Sequence, residues 1–481
     1  MNSRIPAIAL TLALTFLHPS FADPQPIAQP QQITLTILHD NDLHGHLLPF
    51  AYTETGVSKV EQASVGGAAR RATLVRQLRK EIHNPTILVD SGDTTTRGPL
   101  TTTYEGAADI AAMNAVGYQL GALGNNEFKL KDAADKNDAA GAQGALLQFV
   151  KRSNFPWLCA NAVDGKGAFL EGVQPYVVKE FNGVRVGFLG LTAPRSASYP
   201  QTKGWTITDP IAAAQEWIPK ARAHCDILIA VTHIGTDMDK DLAAKTAGLD
   251  AIVGGDSHTY LYQAVEVKNT DGVAVPIVQD GEFGVRLGRF DLHLAKDGQG
   301  RWHLAKYEYK LLPITAKLKE ASDVRAALAP YVAPFETVIG HLDTIGATPD
   351  ARTLQTGQVI VAALREETGA DLALIASADG LFEVFRHKDV TRYDVFAALP
   401  FHDIVATANL TGAEIHTALA AQPGTVSSGD ITHLDPAKTY KVAFIDFEAT
   451  SAYKIAKERL TDGPDSRQVV IDYLGNLSPR R

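Results

Sequence analysis

The chain has 481 residues, of which 45% are hydrophobic and 21% are charged, and this composition is typical of a globular protein with two or three domains. The formal net charge is −9. Proteins that bind nucleic acid generally present basic surfaces to the phosphate backbone, so we expect no nucleic-acid partner.

The N-terminus predicts a secretory signal. Arg4 precedes an apolar run at residues 5–16, and the triplet Ser-Phe-Ala at 20–22 places small residues at a cleavage position. The run is too short to span a bilayer, so we expect cleavage after Ala22 and a periplasmic or secreted protein without a membrane span. Residues 23–32 are rich in Pro and Gln, which is typical of a flexible leader.

Apolar strands alternate with helical patterns through the next part of the chain, and this alternation indicates an α/β arrangement. The helix at 210–223 begins after Asp209, which we expect to be its N-cap. The predicted strands are 33–38, 86–89, 120–123, 184–189, 225–231 and 249–253. The predicted helices are 104–116, 210–223 and a first one that opens at 66–70 and continues to 82.

Polar side chains follow five of these strands at the point where each strand ends. They are carboxylates, an amide and imidazoles, which offer oxygen and nitrogen donors without sulfur. Such a set suits two divalent ions that share a bridging carboxylate, and α/β domains carry their sites at strand ends. The candidate metal ligands are Asp42, His44, Asp93, Asn125, His233, Asp256 and His258.

The order of these motifs resembles that of the metallophosphoesterases and, more narrowly, of the secreted 5′-nucleotidase family. The motifs are LHDNDLHGH, VDSGDTTTRGPL, ALGNNEF, VTHIGTDMDKDLA, IVGGDSHTYL and PIVQDGEFGVRLGRFDL. The resemblance implies an α+β fold, with a four-layer α/β/β/α metallophosphoesterase sandwich at 33–320. It also implies a helical linker at 321–345 and a smaller α+β C-terminal substrate domain at 346–481, shorter here than in the family.

The resemblance divides the seven donors between two ions. In the family a metal-bound water or hydroxide attacks the phosphorus of a phosphoester, and the metals neutralise the charge that develops on its oxygens. The sequence leaves the metal open among Mn, Zn, Mg and Ca. The resemblance assigns Asp42, His44 and His258 to the first ion, Asn125, His233 and Asp256 to the second, and Asp93 as the bridge.

Two departures from the family pattern lie in the catalytic half of the site. The family's catalytic His is Asn126 here, and its Asp partner is Lys129. An amide does not titrate near neutral pH and Lys has too high a pKa, so neither restores a general acid unless Asp132 substitutes. The family also has His at the position of Asp256, and a carboxylate there favours Mn, Mg or Ca over Zn.

The C-terminal part departs as well. The family's substrate-gripping Arg is Phe382 here, and Arg386 matches a second family Arg. We therefore take Arg386 and Phe382 as substrate-binding candidates, although Phe382 and Phe385 also fit core or pocket-lining roles. Tyr453 could supply one face of an aromatic clamp on a base.

Together these patterns predict an exported dinuclear phosphoesterase that resembles 5′-nucleotidase and UDP-sugar hydrolase, with reduced or altered activity. A second hypothesis is a catalytically weak or silent family member that binds a metal or ligand. A third is hydrolysis of a sulfur ester or a pyrophosphate at the same metals. We expect a monomer, and Cys159 and Cys225 form either one disulfide or two buried free thiols.

Overall fold

The computed structural model describes residues 31–52, 64–130, 138–376 and 381–477. The predicted signal segment and Asp132 lie outside these ranges, so those predictions are not tested. The predicted leader is one residue too long, because Gln32 already pairs with Ala295 in the first strand.

The strands occupy the following residues. They are β1 (Gln32–Asp40), β2 (Thr86–Asp90), β3 (Leu120–Ala122), β4 (Trp157–Leu158), β5 (Ala162–Asp164), β6 (Val173–Gln174), β7 (Tyr176–Phe181), β8 (Val184–Thr192), β9 (Trp205–Ile207), β10 (Ile227–His233), β11 (Ala251–Val253), β12 (Val265–Lys268), β13 (Ala274–Val278), β14 (Arg286–Lys296), β15 (Trp302–Pro313), β16 (Val338–His341), β17 (Leu372–Ala376), β18 (Asp389–Thr391), β19 (Ile404–Thr411), β20 (Thr425–Ser428), β21 (Thr439–Ile445) and β22 (Thr461–Asp465).

The α-helices are α1 (Ala68–Glu81), α2 (Pro99–Tyr104), α3 (Ala107–Val116), α4 (Ala139–Arg152), α5 (Pro210–Arg222), α6 (Thr236–Lys245), α7 (Ser322–Val332), α8 (Pro349–Thr368), α9 (Arg392–Ala398), α10 (Gly412–Ala421), α11 (Asp446–Ser451) and α12 (Ser466–Leu477). Short 3-10 helices lie at Glu127–Lys129, Pro194–Ser198, Pro200–Thr202, Ala333–Phe335 and Lys457–Arg459.

The predicted elements are present with shifted ends, except for one helix. Asp209 caps α5 as predicted, and its carboxylate accepts a hydrogen bond from the backbone N–H of Ala212 at 2.8 Å. The helix predicted at 104–116 is instead two helices, because Glu105 and Gly106 have φ of 47° and 76°. A Cβ at Gly106 would lie 2.7 Å from the ring of Phe149, so glycine is needed at this break.

Two sheets face each other in the first two thirds of the chain. One has the strand order β15-β14-β1-β2-β3-β4-β6 and the other β12-β13-β11-β10-β8-β7. Strand β1 shows why the apolar run is continuous: Leu35 and Ile37 point between the sheets, whereas Leu38 packs beneath the outer helices. A strand buried on both faces needs apolar residues at every position rather than at alternate ones.

Helices cover the outer face of each sheet. Val75 of α1 and Met113 of α3 belong to the cluster on the seven-stranded sheet, together with Leu88 of β2. Ile218 of α5 and Leu242 of α6 pack in a separate cluster on the six-stranded sheet. The order is helix, sheet, sheet, helix, which confirms the predicted four-layer α/β/β/α sandwich.

The C-terminal part has a smaller five-stranded sheet of order β20-β17-β21-β19-β22. Helices α8 and α12 pack on one face, where Leu364 and Leu474 are buried, and α10 packs on the other, where Ile415 is buried. This confirms the predicted smaller α+β unit, while its limits at 320 and 345 stay predictions. Among the described residues no helix is both long and apolar enough to cross a bilayer.

The structure decides between the two alternatives for the cysteines. Cys159 and Cys225 are both buried and both free, so they do not form a disulfide. Burial raises the pKa of the Cys159 thiol to about 12, although three backbone contacts oppose the rise. A thiol with so high a pKa carries little thiolate and is unreactive near neutral pH.

Candidate metal centre and adjoining cavity

The C-terminal ends of strands from both sheets meet at one edge of the sandwich and bring the predicted donors together. Oδ1 of Asp42, just after β1, lies 3.2 Å from Nε2 of His258 and 3.6 Å from Nε2 of His44. The same oxygen lies 3.7 Å from Nε2 of His233, the last residue of β10. Asp93 Oδ2 lies 3.2 Å from His233 Nε2 and 3.9 Å from His44 Nε2. Parallel strands from two sheets thus deliver side chains that are far apart in sequence to one point.

Strained backbone marks the same residues. Non-glycine residues rarely adopt positive φ, and they keep it only where surrounding contacts impose it. The loop contacts that do so include hydrogen bonds from the backbone N–H of Asp42 to Gly92 O at 2.9 Å and of His44 to Asp93 O at 3.0 Å. The five predicted ligands with positive φ are Asp42 (51°), His44 (46°), Asp93 (53°), Asp256 (83°) and His258 (53°).

Each of the three histidines is oriented through its Nδ1 atom. Nδ1 of His44 lies 3.2 Å from Thr95 O, and Nδ1 of His233 lies 2.8 Å from Ser91 O. Nδ1 of His258 contacts the carboxylate of Glu282. An oxygen at Nδ1 fixes the ring and leaves Nε2 as the metal-binding atom, which is the usual support for metal-ligating histidines.

Two donor atoms at the centre have no hydrogen-bond partner, and a bound cation would satisfy them. Asp42 Oδ1 and His233 Nε2 are buried and have no hydrogen-bond partner, which is costly without a ligand. Oδ2 of Asp42 is already satisfied, by Asn41 Nδ2 at 2.7 Å and by the backbone N–H of Asp256 at 2.8 Å. The Nε2 atoms of His44 and His258 face each other at 3.1 Å. These residues therefore fit a divalent ion.

Glu127 is a structural residue of the centre that the sequence reasoning missed. Its buried carboxylate accepts hydrogen bonds from the backbone N–H groups of Asp93 at 3.0 Å, Thr95 at 3.1 Å and Gly124 at 2.7 Å. It thereby ties the loop after β2 to the loop after β3. The signal was its position inside the ALGNNEF motif, directly after Asn126.

Arg195 was also missed, and no motif pointed to it. It lies in the 3-10 turn Pro194–Ser198 that follows β8. Its guanidinium reaches Asn125 and Asp256, two residues predicted to bind the second ion. Sequence reasoning had no signal for this contact, because Arg195 lies 61 residues from Asp256 along the chain.

A cavity of about 310 Å³ adjoins the centre and lies between the two parts of the chain. Its wall combines cationic side chains and Asn126 from the first part with two aromatic rings from the second. Lys129 lines the cavity, and its Nζ lies 4.4 Å from the ring centroid of Tyr199. The lining residues are Thr96, Arg97, Asn126, Lys129, Gln201, Phe401, Asp403 and Phe447.

The residues predicted to bind substrate have different places. Phe382 is 44% exposed and packs edge-on against Phe401, with ring centroids 5.0 Å apart. Arg386 donates hydrogen bonds to Glu383 and to the carbonyl of Ala51, and it is not among the described residues that line the cavity. Both stay predictions as substrate-binding residues.

Two further aromatic predictions can be compared with the structure. Phe385 is buried in the core of the C-terminal part, which agrees with the core alternative. Tyr453 is buried against Phe444, with ring centroids 5.4 Å apart, so it does not present an open face to a base. The cavity instead has Phe447, which is 49% exposed and which the sequence reasoning missed.

Comparison with known proteins agrees with this architecture. Residues 35–260 match the family model of the calcineurin-like phosphoesterases. Residues 338–431 match the model of the 5′-nucleotidase C-terminal domain. The two matched segments contain the strands that carry the seven donors and the residues of the smaller sheet up to β20.

Similar proteins include a nucleotide phosphoesterase and a 5′-nucleotidase precursor. The chain is 29% identical to the trifunctional nucleotide phosphoesterase protein YfkN of Bacillus subtilis, over 82% of this chain but only 28% of that protein. It is 27% identical to protein UshA of Escherichia coli, over 92% of this chain and 90% of that protein. The solved 5′-nucleotidase precursor of Thermus thermophilus is similar with a TM-score of 0.69 and 26% identity, covering 93% of this chain and 97% of that one.

Proposed function

This chain belongs to the family that joins a calcineurin-like phosphoesterase domain to a 5′-nucleotidase C-terminal domain, and from that premise we propose that it is an exported metal-dependent hydrolase of phosphoesters. The support for export is the signal-like sequence at residues 1–22. We place the protein in the periplasm or outside the cell, and we propose a nucleotide or a related phosphoester as its substrate.

The observation that carries the proposal is the convergence of buried metal-binding donors beside the cavity. Asp42, His44 and His258 bring one oxygen and two nitrogens within reach of one ion. Asp93 lies beside them with one carboxylate oxygen directed to His44 and His233. When bound there, a divalent ion supplies Lewis-acid chemistry, because it neutralises charge on a phosphoryl group and lowers the pKa of water.

The chain's own residues position the substrate. Arg97 and Lys129 line the cavity and favour an anionic phosphoryl group. Phe401 and Phe447, from the C-terminal part of the chain, also line it and offer apolar surface for a planar group. Asn126 holds the Asp93 carboxylate through hydrogen bonds at both oxygens. This combination fits a substrate with a phosphate at one end and an aromatic base at the other.

We propose that the centre binds one or two divalent ions. The first ion would be held by Asp42, His44 and His258, whose ligand atoms lie within 4.8 Å of one another. The second ion stays a prediction, because Arg195 engages two of the residues that would bind it. Asp256 and Asn125 still favour a hard ion such as Mn or Mg over Zn at that position.

The experiment that tests the proposed function measures phosphate release by the purified chain with added Mn²⁺. Substrates are a 5′-nucleotide, a UDP-sugar and a generic phosphodiester. We expect turnover that Asp93→Ala abolishes, whereas the surface variant Asp226→Ala retains it, since Asp226 pairs with Arg185 just before β10, at the opposite end of that strand from His233.

The same assay separates this proposal from the second hypothesis, a silent member that binds a metal or ligand. Bound metal without turnover in the wild type, together with turnover gained in Asn126→His plus Lys129→Asp, would contradict the active-enzyme proposal. Turnover lost in Asp93→Ala would contradict a purely binding role.

A further inference from the structure

One guanidinium group occupies the positions where a second metal ion would meet its ligands. Nη1 of Arg195 donates a hydrogen bond to Asp256 Oδ2 at 2.7 Å, and Nη2 pairs with Asp256 Oδ1. Nη2 also donates to Asn125 Oδ1 at 2.6 Å. Both carboxylate oxygens of Asp256 and the amide oxygen of Asn125 are therefore engaged by the same side chain.

The contrast with the other half of the centre is sharp. Asp42 Oδ1 is buried without a hydrogen-bond partner, and His44 and His258 aim two Nε2 atoms at the same point. A divalent ion bound in that half would be coordinated by all three of these atoms. In the half around Asp256, Arg195 engages both carboxylate oxygens of Asp256 and the amide oxygen of Asn125, and Nε2 of His233 is left without a hydrogen-bond partner.

The residue types explain why Arg195 is held there. A guanidinium is planar and always protonated, and its forked N–H groups match a carboxylate at two points. His at position 256, as the family pattern has it, would offer no such partner. Asp256 and Arg195 therefore form a charge-balanced pair, in which the extra negative charge of Asp256 is neutralised by the protein itself.

A second dication would meet few donors. With Asn125 and Asp256 engaged, its remaining protein ligands would be Asp93 and His233, besides Asp42, which the first ion uses. Oδ2 of Asp93 also accepts a hydrogen bond from Asn126 Nδ2 at 2.5 Å. An ion with so few donors would also be repelled by the adjacent guanidinium charge.

We propose that Arg195 replaces the second metal ion, so that this centre binds one divalent ion and uses the guanidinium as its fixed second positive charge. This inference rests on the proposed function for the identity of the centre. Half of the Arg195 side chain stays exposed, so its charge is accessible to an anionic ligand as well as to Asp256.

The test counts bound metal and does not depend on turnover. The purified full chain is stripped with a chelator, titrated with Mn²⁺, and measured by elemental analysis and electron paramagnetic resonance. We expect one tightly bound Mn²⁺ per wild-type chain with the spectrum of an isolated ion. Arg195→Ala is expected to bind a second Mn²⁺ at least tenfold more tightly than the wild type and to show a spin-coupled pair.

Three further variants keep the test decisive. Arg195→Lys retains the positive charge, so we expect one ion. Arg195→Ala combined with Asp256→His frees Asn125 and restores an imidazole donor, so we expect two ions even if Arg195→Ala alone folds poorly. Arg185→Ala removes a comparable two-point pair with Asp226 on the surface and is expected to behave as the wild type.

The outcomes distinguish the inference from the proposed function. Two coupled ions in the wild type, or a single ion in both variants that lack the Arg195 charge, overturns the role of Arg195 and leaves the phosphoesterase proposal in place. A wild-type chain that binds no ion at all overturns both.

Discussion

Asn126 donates hydrogen bonds to both carboxylate oxygens of Asp93, from its backbone N–H to Oδ1 at 2.8 Å and from its side-chain Nδ2 to Oδ2 at 2.5 Å. The amide thus orients the central carboxylate of the site. It also lines the cavity, where a titrating group would be needed to protonate a leaving group. An amide can position a neighbouring group by hydrogen bonding, but it does not donate a proton near neutral pH.

Placing an imidazole at position 126 and a carboxylate at position 129 is expected to raise turnover. Asn126→His with Lys129→Asp introduces a general acid, which typically contributes about 10²- to 10⁴-fold in rate. The measurement is kcat as a function of pH, and we expect a new ionisation in the profile of the double variant. Asn126→Ala is the control, because it removes the side-chain hydrogen bond to Asp93 without adding a titrating group. If kcat of the double variant is equal to or lower than that of the wild type, the absence of a general acid at position 126 does not limit turnover.

Glu127→Gln is expected to weaken metal binding without removing a ligand. Oε2 of Glu127 now accepts from the backbone N–H groups of Asp93 and Gly124, and Oε1 accepts from that of Thr95, so the amide nitrogen of Gln would face at least one N–H donor. Loss of such supporting contacts typically costs about 10- to 100-fold in metal affinity. Isothermal titration calorimetry with Mn²⁺ measures this affinity.

The matched control for that titration is Glu171→Gln. Glu171 forms an exposed ion pair with Lys151 at 2.8 Å, and exposed pairs contribute little to stability. We expect unchanged Mn²⁺ affinity in this variant. The same affinity in Glu127→Gln and in the wild type would contradict the supporting role of Glu127.

Phe447→Ala is expected to impair substrates that carry a base. Stacking of a base on an aromatic ring is worth about 1–3 kcal/mol, so KM for a nucleotide is expected to rise about fivefold or more. A sugar phosphate without a base is expected to show little change. Tyr262→Ala is the control, because Tyr262 is also 49% exposed but does not line this cavity. Equal effects on both substrates would argue against base stacking at Phe447.

Asp109 is expected to make stability depend on pH. Burial raises its pKa from 3.8 to about 7, although the hydroxyl of Thr101 donates to Oδ1 at 2.7 Å and opposes the rise. Between about pH 4 and 7 the folded state therefore keeps a proton that the unfolded chain has released. The free energy of unfolding consequently falls as pH rises through this window, by at most on the order of 4 kcal/mol.

The comparison that isolates this effect uses Asp109→Asn at pH 5 and pH 8. The neutral amide removes the titration, so we expect the Tm of the variant relative to the wild type to be higher at pH 8 than at pH 5. The exposed Asp237→Asn is expected to follow the wild type at both values, since its side chain is 99% exposed. A relative Tm of Asp109→Asn that is the same at both pH values would contradict a buried, protonated Asp109.

The sequence alone indicated the layered fold and placed seven candidate metal ligands after its strands. The donors follow apolar runs directly, as His233 follows Val231 and Thr232, so each is marked by its immediate neighbours. Strands buried on both faces also have an unbroken apolar pattern that is visible without coordinates. The helix at 104–116 was mispredicted because periodicity does not register a left-handed pair of residues such as Glu105 and Gly106.

Only the tertiary structure decided which of the predicted metal ligands are already bound by another side chain. Arg195 meets Asp256 across 61 residues and Asn125 across 70, and no local pattern encodes which loops meet at a sheet edge. The burial of Tyr453 and the exposure of Phe447 at the cavity depend in the same way on packing between distant elements. Residue types and their spacing are local properties of the chain, whereas charge compensation and access to a cavity arise only when distant segments are brought into contact.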